Sequence, residues 1–393
     1  MKEKFFFFDN PKNAVLFCFG FLLLIGGINV YSASFVYAAS EMENGYHFAQ
    51  RYLVFAMLST VVLCAVWKFG YRKLLNINSL FFFGATVVVL LIAVLFFGPK
   101  INEAKRWLDF GFVHLQPSEF VKLFIIMVCS KFLGDHILKG KRANIFHAPT
   151  LYCLAAAGFF ATLVYVEPDM GTAGLIMGLA CFLCFLAGVP WIQIFLVLSI
   201  ALSAAALFIF RATYRFNRVL MWLDPWQDPT GDGYQMVQSY IAIGSGGFFG
   251  MDWGAGTAKL FFLPELHTDF AFAIFCQENG FIGALGMICI FALLGFALWT
   301  IARRTNDPTG FLLVSGIIFL VVGQAVANMA MVCGLLPIIG VPLSFISYGG
   351  SSMVASSLGL GLALSVYDEE CYRQKELAKL AQIEKQEKNK EKE

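Results

Sequence analysis

The feature that most constrains this chain is a series of apolar runs, many near twenty residues long, separated by short charged clusters. Such a run matches a hydrocarbon core of ~30 Å at about 1.5 Å rise per residue, and a helix satisfies its own backbone hydrogen bonds where no water can. Ten runs stand out, over residues 14–35, 52–66, 80–97, 120–133, 151–166, 172–187, 192–210, 270–301, 310–332 and 345–366. The second, fourth, fifth and sixth are short for a full crossing. The eighth is too long, so its first turns are expected to precede the lipid region or to line a cavity. Charge content agrees: Asp, Glu, Lys and Arg make up 14% of the chain, against roughly a quarter in a water-soluble domain. The expected fold class is an all-α polytopic membrane protein of about ten transmembrane helices, with a large extracytoplasmic loop between spans 7 and 8.

Charge also orients the chain. With the N-terminus in the cytoplasm, the inside segments hold 19 of the 28 basic residues, among them Lys68, Arg72, Lys73, Lys131, Lys139, Lys141, Arg303 and Arg304. The same bias appears in the short loops where the positive-inside rule is properly counted. Both termini are then cytoplasmic, and residues 211–268 lie outside. The first run is read as a retained span, although SASFVYAAS resembles a cleavage site. Residues 1–367 form one membrane domain, and 368–393 a charged cytoplasmic tail expected to make a short frayed helix near Leu377 and Leu380, then disorder. No basic patch with interleaved aromatics lies outside the membrane, so nucleic acid is not an expected partner. Cys181 and Cys184 form a C-x-x-C inside the sixth run, without neighbouring His or acids, and read as small buried hydrophobes.

The outside segments carry the chemistry. Gln116, Pro117 and Glu119 suit the first positions of a helix, and Lys122 follows one turn later on the same face as Glu119. Two readings stay open for Lys122: a structural ion pair, or a cation aimed at an anionic lipid head group. Lys105, Arg106 and Trp107 read as an interfacial anchor. Glu167 and Asp169 sit in a connection so short that both lie at the membrane boundary. Asp169 suits a helix cap; the two acids could also bind a divalent ion, with Asp169 and Glu265 the candidate ligands, or hold a basic partner residue. In the long loop, Arg215 and Arg218 supply charge, and Gln235 and Ser239 offer neutral hydrogen bonds from an amphipathic stretch rich in glycine. Glu265, His267 and Asp269 then crowd into five residues at the mouth of the eighth span, where partial desolvation would make Asp269 a better base, unless it merely caps that helix. Glu278, deeper, suits pairing with a basic group. The segment 334–352 is apolar yet broken by Pro and Gly, and ends in hydroxyls including Ser351; backbone of that kind at membrane depth is tolerated where protein buries it or a cavity is lined. Gln324 and Asn328, one turn apart in the ninth run, read as helix–helix glue.

Six stretches together resemble the SEDS family (shape, elongation, division, sporulation), which includes FtsW, RodA and SpoVE. They are VYSAS at 30–34, RWLDFGFVHLQPSEFVKL at 106–123, EPDMGTAG at 167–174, GDGYQMVQSYIAIGSGGFFG at 231–250, LPELHTDFAFA at 263–273 and GLLPIIGVPLSFISYGGSS at 334–352. The resemblance implies a peptidoglycan glycosyltransferase that polymerises lipid II, with Asp269 the essential acid and Lys122, Asp169, Arg218 and Glu265 supporting it. DPW, GDGYQ and FISYGGSS lean towards the division-type FtsW branch. The chain departs from the pattern at NEAK before Arg106, at Gln277 in place of an acid, and at Asn279 in place of an apolar residue.

On that reading Asp269 takes the proton of a GlcNAc 4-hydroxyl as it attacks C1 of a lipid-pyrophosphate-linked disaccharide, giving a β-1,4 bond with inversion. Lys122, Arg215, Arg218 or a divalent cation (Mg or Mn) would stabilise the departing pyrophosphate, with no tightly bound cofactor required. Glu119, Asp169 and Glu278 are supporting polar positions. The family also implies a class B penicillin-binding protein, a single-span transpeptidase, as partner, among other divisome or elongasome membrane proteins, and a place in the bacterial inner membrane with the active site on the extracytoplasmic face. The alternatives are a transporter that flips the same lipid and a non-catalytic division scaffold.

Overall fold

The computed structural model describes residues 10–100, 104–111, 113–141, 143–210, 213–260 and 266–390. The apolar runs become helices that extend beyond the runs themselves, because helical hydrogen bonding continues through polar residues at the membrane surface. The first four long helices are α1 (Pro11–Glu41), α2 (His47–Phe69), α4 (Ile77–Phe97) and α5 (Pro117–Leu138), with a single turn α3 (Tyr71–Leu74) before α4. A minimal hairpin, β1 (Leu108–Asp109) against β2 (His114–Leu115), leads into α5. There follow α6 (Ala148–Val166), α7 (Met170–Leu186) and α8 (Trp191–Phe210).

In the loop lie α9 (Thr213–Leu223) and α10 (Tyr234–Ser245), joined through a 3₁₀ turn at Pro225–Gln227. Then come α11 (Ala271–Arg304), α12 (Pro308–Ile318), a π-turn at Phe319–Gly323, α13 (Gln324–Val332) and α14 (Gly350–Lys390). Counting Pro308–Val332 as one element, ten apolar helices occupy the positions of the ten runs. Among the described residues, seven of them are both long and apolar enough to cross a membrane by length and composition. The sixth, α7, has 17 residues and stays short.

Helix α5 is the axis of the bundle. Val121–Ser130 is buried along its whole circumference, and α5 packs against α4, α6, α7, α12 and α14. Elsewhere the large apolar side chains point outward, as Phe81, Phe82, Phe96 and Phe97 do on α4, each about 70% exposed or more. A face of that kind is at rest only in lipid.

Two elements depart from a plain reading of the runs. Helix α11 is broken at Gly280, whose φ of 63° and ψ of −165° suit only glycine. Its first part, Ala271–Glu278, is buried on all sides, so the excess length belongs to a half-helix inside the protein. The tail expected to fray continues α14 without interruption to Lys390. No Gly or Pro follows Gly361, and the segment is rich in Ala, Glu, Lys and Gln, which favour helix. Cys181 and Cys184 are buried free thiols.

Candidate active site at the loop face

The loop face of the bundle gathers three elements around the broken segment 333–349: the hairpin approach at Arg106, the α6–α7 connection, and the start of α11. The segment is held by two side chains one turn apart. Gln324 donates to the Pro342 carbonyl at 3.1 Å, and Asn328 to the Val341 carbonyl at 2.7 Å. The same Asn328 amide donates to the Asp269 carbonyl at 2.8 Å. Thus Gln324 and Asn328 tie helix to broken backbone, where the sequence reading had them join helices. Asn328 directly fixes the residue expected to be the base.

Within that segment Gly340 takes a left-handed φ of 65°, which glycine adopts at little cost. A Cβ placed there would lie 3.5 Å from Asp269 Oδ2 and 3.7 Å from Arg106 Nη1. The Asp269 carboxylate and the Arg106 guanidinium therefore both border this glycine. Arg106 also donates to the Pro168 carbonyl. Its neighbours Glu167 and Asp169 are each only 1% exposed. Burial first, then the Asp169 charge, pushes Glu167 up to about 8, against the opposing effect of Arg106. Burial also raises Asp169, countered by Arg106, Thr172 and Lys122. Asp169 does cap α7, accepting from the Thr172 N–H at 3.2 Å through Oδ1. Its Oδ2 and both Glu167 oxygens have no hydrogen-bond partner.

Lys122 and Glu119 form the ion pair expected from their spacing, at 2.8 Å with both side chains 3% exposed. Lys122 also donates to Gln324 Oε1 at 2.6 Å. The ammonium therefore reaches the broken segment through one intermediary, and both Lys122 and Gln324 line a small cavity with Leu175, Leu179, Phe319 and Leu320. The π-turn at Phe319–Gly323 immediately precedes Gln324, a local widening of the kind often found at functional sites.

The remaining candidates fall in different places. The His267 ring lies among Phe48 at 4.6 Å, Tyr37 at 5.9 Å and Tyr348 at 6.0 Å between centroids, and its carbonyl accepts from the Tyr348 N–H at 2.8 Å. Ser351 is engaged by the hairpin, accepting from Gln116 N–H at 2.9 Å and donating to the His114 carbonyl at 3.3 Å. Ser239 is fully buried and donates to the Val332 carbonyl at 2.8 Å, so this hydroxyl joins α10 to the end of α13. Gln235 is half-buried at the start of α10. Arg215 and Arg218 fall on α9, with side chains outside the described residues, and Glu265 lies outside the described residues altogether. Glu278 does find a basic partner, Lys259, at 3.1 Å. Among the described residues no group of three or more His, Cys, Asp or Glu side chains is arranged to hold a metal ion.

Sequence reasoning missed Arg106, Gly340 and Lys259. Arg106 beside Trp107 carries the signature of an interfacial anchor, and nothing local distinguishes that from a site residue. Only the packing of the 106–116 hairpin approach against residues 168 and 340 does.

A bundle of ten apolar helices, with buried carboxylates and cations gathered around a broken segment at one end, defines a multi-pass membrane protein with a polar site at its surface. The chain belongs to the FtsW/RodA/SpoVE family of cell cycle proteins, whose family model matches residues 12–372. It is 34% identical to the stage V sporulation protein E of Bacillus subtilis, over 88% of this chain and 93% of that protein. It is also 34% identical to the peptidoglycan glycosyltransferase MrdB of Escherichia coli K12, over 88% of this chain and 92% of that one. A solved peptidoglycan synthase complex, in which polymerization and crosslinking are structurally coordinated, contains a similar chain, with a TM-score of 0.72 and 27% identity over 91% of this chain and 97% of that one.

Proposed function

We propose that this chain is a peptidoglycan glycosyltransferase that polymerises lipid II, with Asp269 as the general base. The observation that carries this reading is that the Asp269 carboxylate and the Arg106 guanidinium both border Gly340, within 4 Å of where its Cβ would lie. A base and a cation at one point suit a reaction in which a hydroxyl loses its proton as a pyrophosphate gains charge. Asp269 accepts the 4-hydroxyl proton of the acceptor sugar. Arg106, together with Lys122 and with Arg215 and Arg218 from the loop, balances the charge of the leaving pyrophosphate. Glu265, His267, Gln235 and Ser351 would contact the sugars or position the loop around them.

Asp169, whose Oδ2 has no hydrogen-bond partner, would with Glu265 hold a divalent cation (Mg or Mn). Such an ion supplies further charge stabilisation to the pyrophosphate. The site then opens on the extracytoplasmic face of the bacterial inner membrane, both termini are cytoplasmic, and the partner is a class B penicillin-binding protein. DPW at 224–226, GDGYQ at 231–235 and FISYGGSS at 345–352 support the division-type FtsW branch.

The test is lipid II polymerisation by the purified protein, with and without a candidate transpeptidase, comparing wild type with Asp269→Asn. Glycan chains are expected from wild type, with a loss of at least ~100-fold in the variant while its fold survives. Wild-type rates in Asp269→Asn would remove the base assignment. If wild type made no polymer with any partner or metal, yet moved labelled lipid II across liposomes, transport would replace polymerisation.

A further inference from the structure

Asp269 leads into the half-helix Ala271–Asn279, and the anchoring of that half-helix involves residues no part of the reaction has yet claimed. Near its start, Asn29 of α1 donates to the Ala271 carbonyl at 3.1 Å, close to where Asn328 holds the Asp269 carbonyl. At its far end, next to the break at Gly280, Glu278 is 2% exposed and receives donors from two directions. Ser32, one turn from Asn29 on the same face of α1, donates to Oε1 and Oε2 at 2.6 and 2.8 Å. From the loop between α10 and α11, Lys259 Nζ lies 3.1 Å from Oε1 and 3.4 Å from the Ser32 hydroxyl, and the Gly254 N–H donates to the same carboxylate oxygen at 3.1 Å. Lys259 is itself only 7% exposed. A second set of bonds runs beside the first: Gln277 accepts from the Ala258 N–H at 3.1 Å, and donates to Ser245 at 2.8 Å and Thr257 at 3.2 Å.

We propose that Lys259 is a positioning residue for the glycosyl transfer, setting the placement of Asp269 by clamping Glu278 at the opposite end of the half-helix that Asp269 enters. The proposal rests on Asp269 being the base. Because Gly280 interrupts the helix, the half-helix does not take its orientation from the rest of α11. Among the described residues its mounts lie on α1, α13 and the loop, and the loop mount brings a charge, that of Lys259. Without Lys259 the Glu278 carboxylate would be left buried beside neutral donors only, and it would turn toward water or draw water in. A rotation of the half-helix moves Asp269, and a displacement near 1 Å at a reacting group costs on the order of 100-fold in rate.

The experiment compares wild type, Lys259→Met, Lys259→Arg and the double variant Lys259→Met/Glu278→Met in lipid II polymerisation, with amide hydrogen exchange measured across 271–279. Lys259→Met is expected to lower kcat by about 10- to 100-fold, with KM for lipid II changed by less than about 3-fold and faster exchange in the half-helix. Lys259→Arg should restore most of the turnover. The double variant removes the buried charge along with its partner, so it should fold like wild type and still turn over slowly. Wild-type turnover in the double variant would overturn the proposal, since the pair would then serve only to balance charge. So would a rise in KM at constant kcat in Lys259→Met, because Lys259 would then touch substrate. Full activity of Asp269→Asn beside an impaired Lys259→Met would instead remove the base assignment, and with it the role given to Lys259.

Discussion

Glu167 shows what burial does to a single residue at this face. Its carboxyl group is pushed up to about 8 and its two oxygens have no hydrogen-bond partner, so at neutral pH it favours the protonated form. The sign of the linkage follows. Between the ordinary value of 4.5 and about 8 the unfolded chain releases this proton while the folded chain keeps it. Stability therefore falls as pH rises through that window, and the loss is complete above it. Glutamine imitates the neutral carboxyl. Glu167→Gln should match wild type in thermal midpoint near pH 5 and exceed it by several degrees near pH 9, a difference of a few kcal/mol at most once solvent screening is allowed for. Equal midpoints at both pH values would show that Glu167 ionises as an exposed carboxylate does. The proximity of Glu167 and Asp169 was legible from a connection too short to separate them. The cation that moderates them was not, because Arg106 is remote in sequence.

At the scale of elements, the break in α11 separates a buried half-helix from a lipid-facing one. Its placement follows from close backbone contact: a Cβ at Gly280 would collide with Phe248, Phe249 and Gly250 backbone atoms of the loop, in addition to the unfavourable φ of 63°. Gly280→Ala should therefore cost about 2–4 kcal/mol, strain and collision together. The measurement is the thermal midpoint in detergent, with turnover falling alongside it as the loop lifts from the half-helix. An unchanged midpoint would mean that the helix runs straight at little cost and that the loop is mounted elsewhere. The excess length of this run was a reliable sign that part of it did not face lipid. The position of the break was not legible, since Gly283 and Gly286 are equally present in the same helix and remain helical.

Across the whole molecule, the face opposite the site is held by charges that gather on α14 as it leaves the bundle. Asp368 accepts from Lys12 at 3.2 Å and from the Trp67 indole at 2.7 Å, Glu369 pairs with Arg72, and Glu370 accepts from Asn306 at 2.7 Å. Arg72 also reaches Asp307 at 3.4 Å, and Tyr71 donates to that carboxylate at 2.8 Å. These contacts join α1, α2, α3 and the α11–α12 connection to one helix. A chain ending after Val366 should therefore lose on the order of 1–3 kcal/mol, because half-exposed pairs contribute little singly and more as a group. A chain ending after Cys371 keeps all three acids and should match the full chain in both thermal midpoint and polymerisation. If the shorter chain is equally stable, the acids serve something other than the bundle.

The division between sequence and tertiary structure follows from the range of the forces involved. Spans, the Glu119–Lys122 pair, the Asp169 cap and the exceptional length of the α11 run depend on neighbours a few residues away, and on the lipid that any apolar run of twenty residues must meet. These were determined by the sequence alone, as were the six stretches that carry the family resemblance. The placing of Arg106 and Asp269 beside Gly340, the grip of Asn328 on both Asp269 and Val341, and the clamp of Lys259 on Glu278 join residues distant along the chain or mounted on separate elements. Local pattern carries no information about which buried donor will face which acceptor. In a bundle where unpaired polar groups are costly, only the packing of the helices settled those partners.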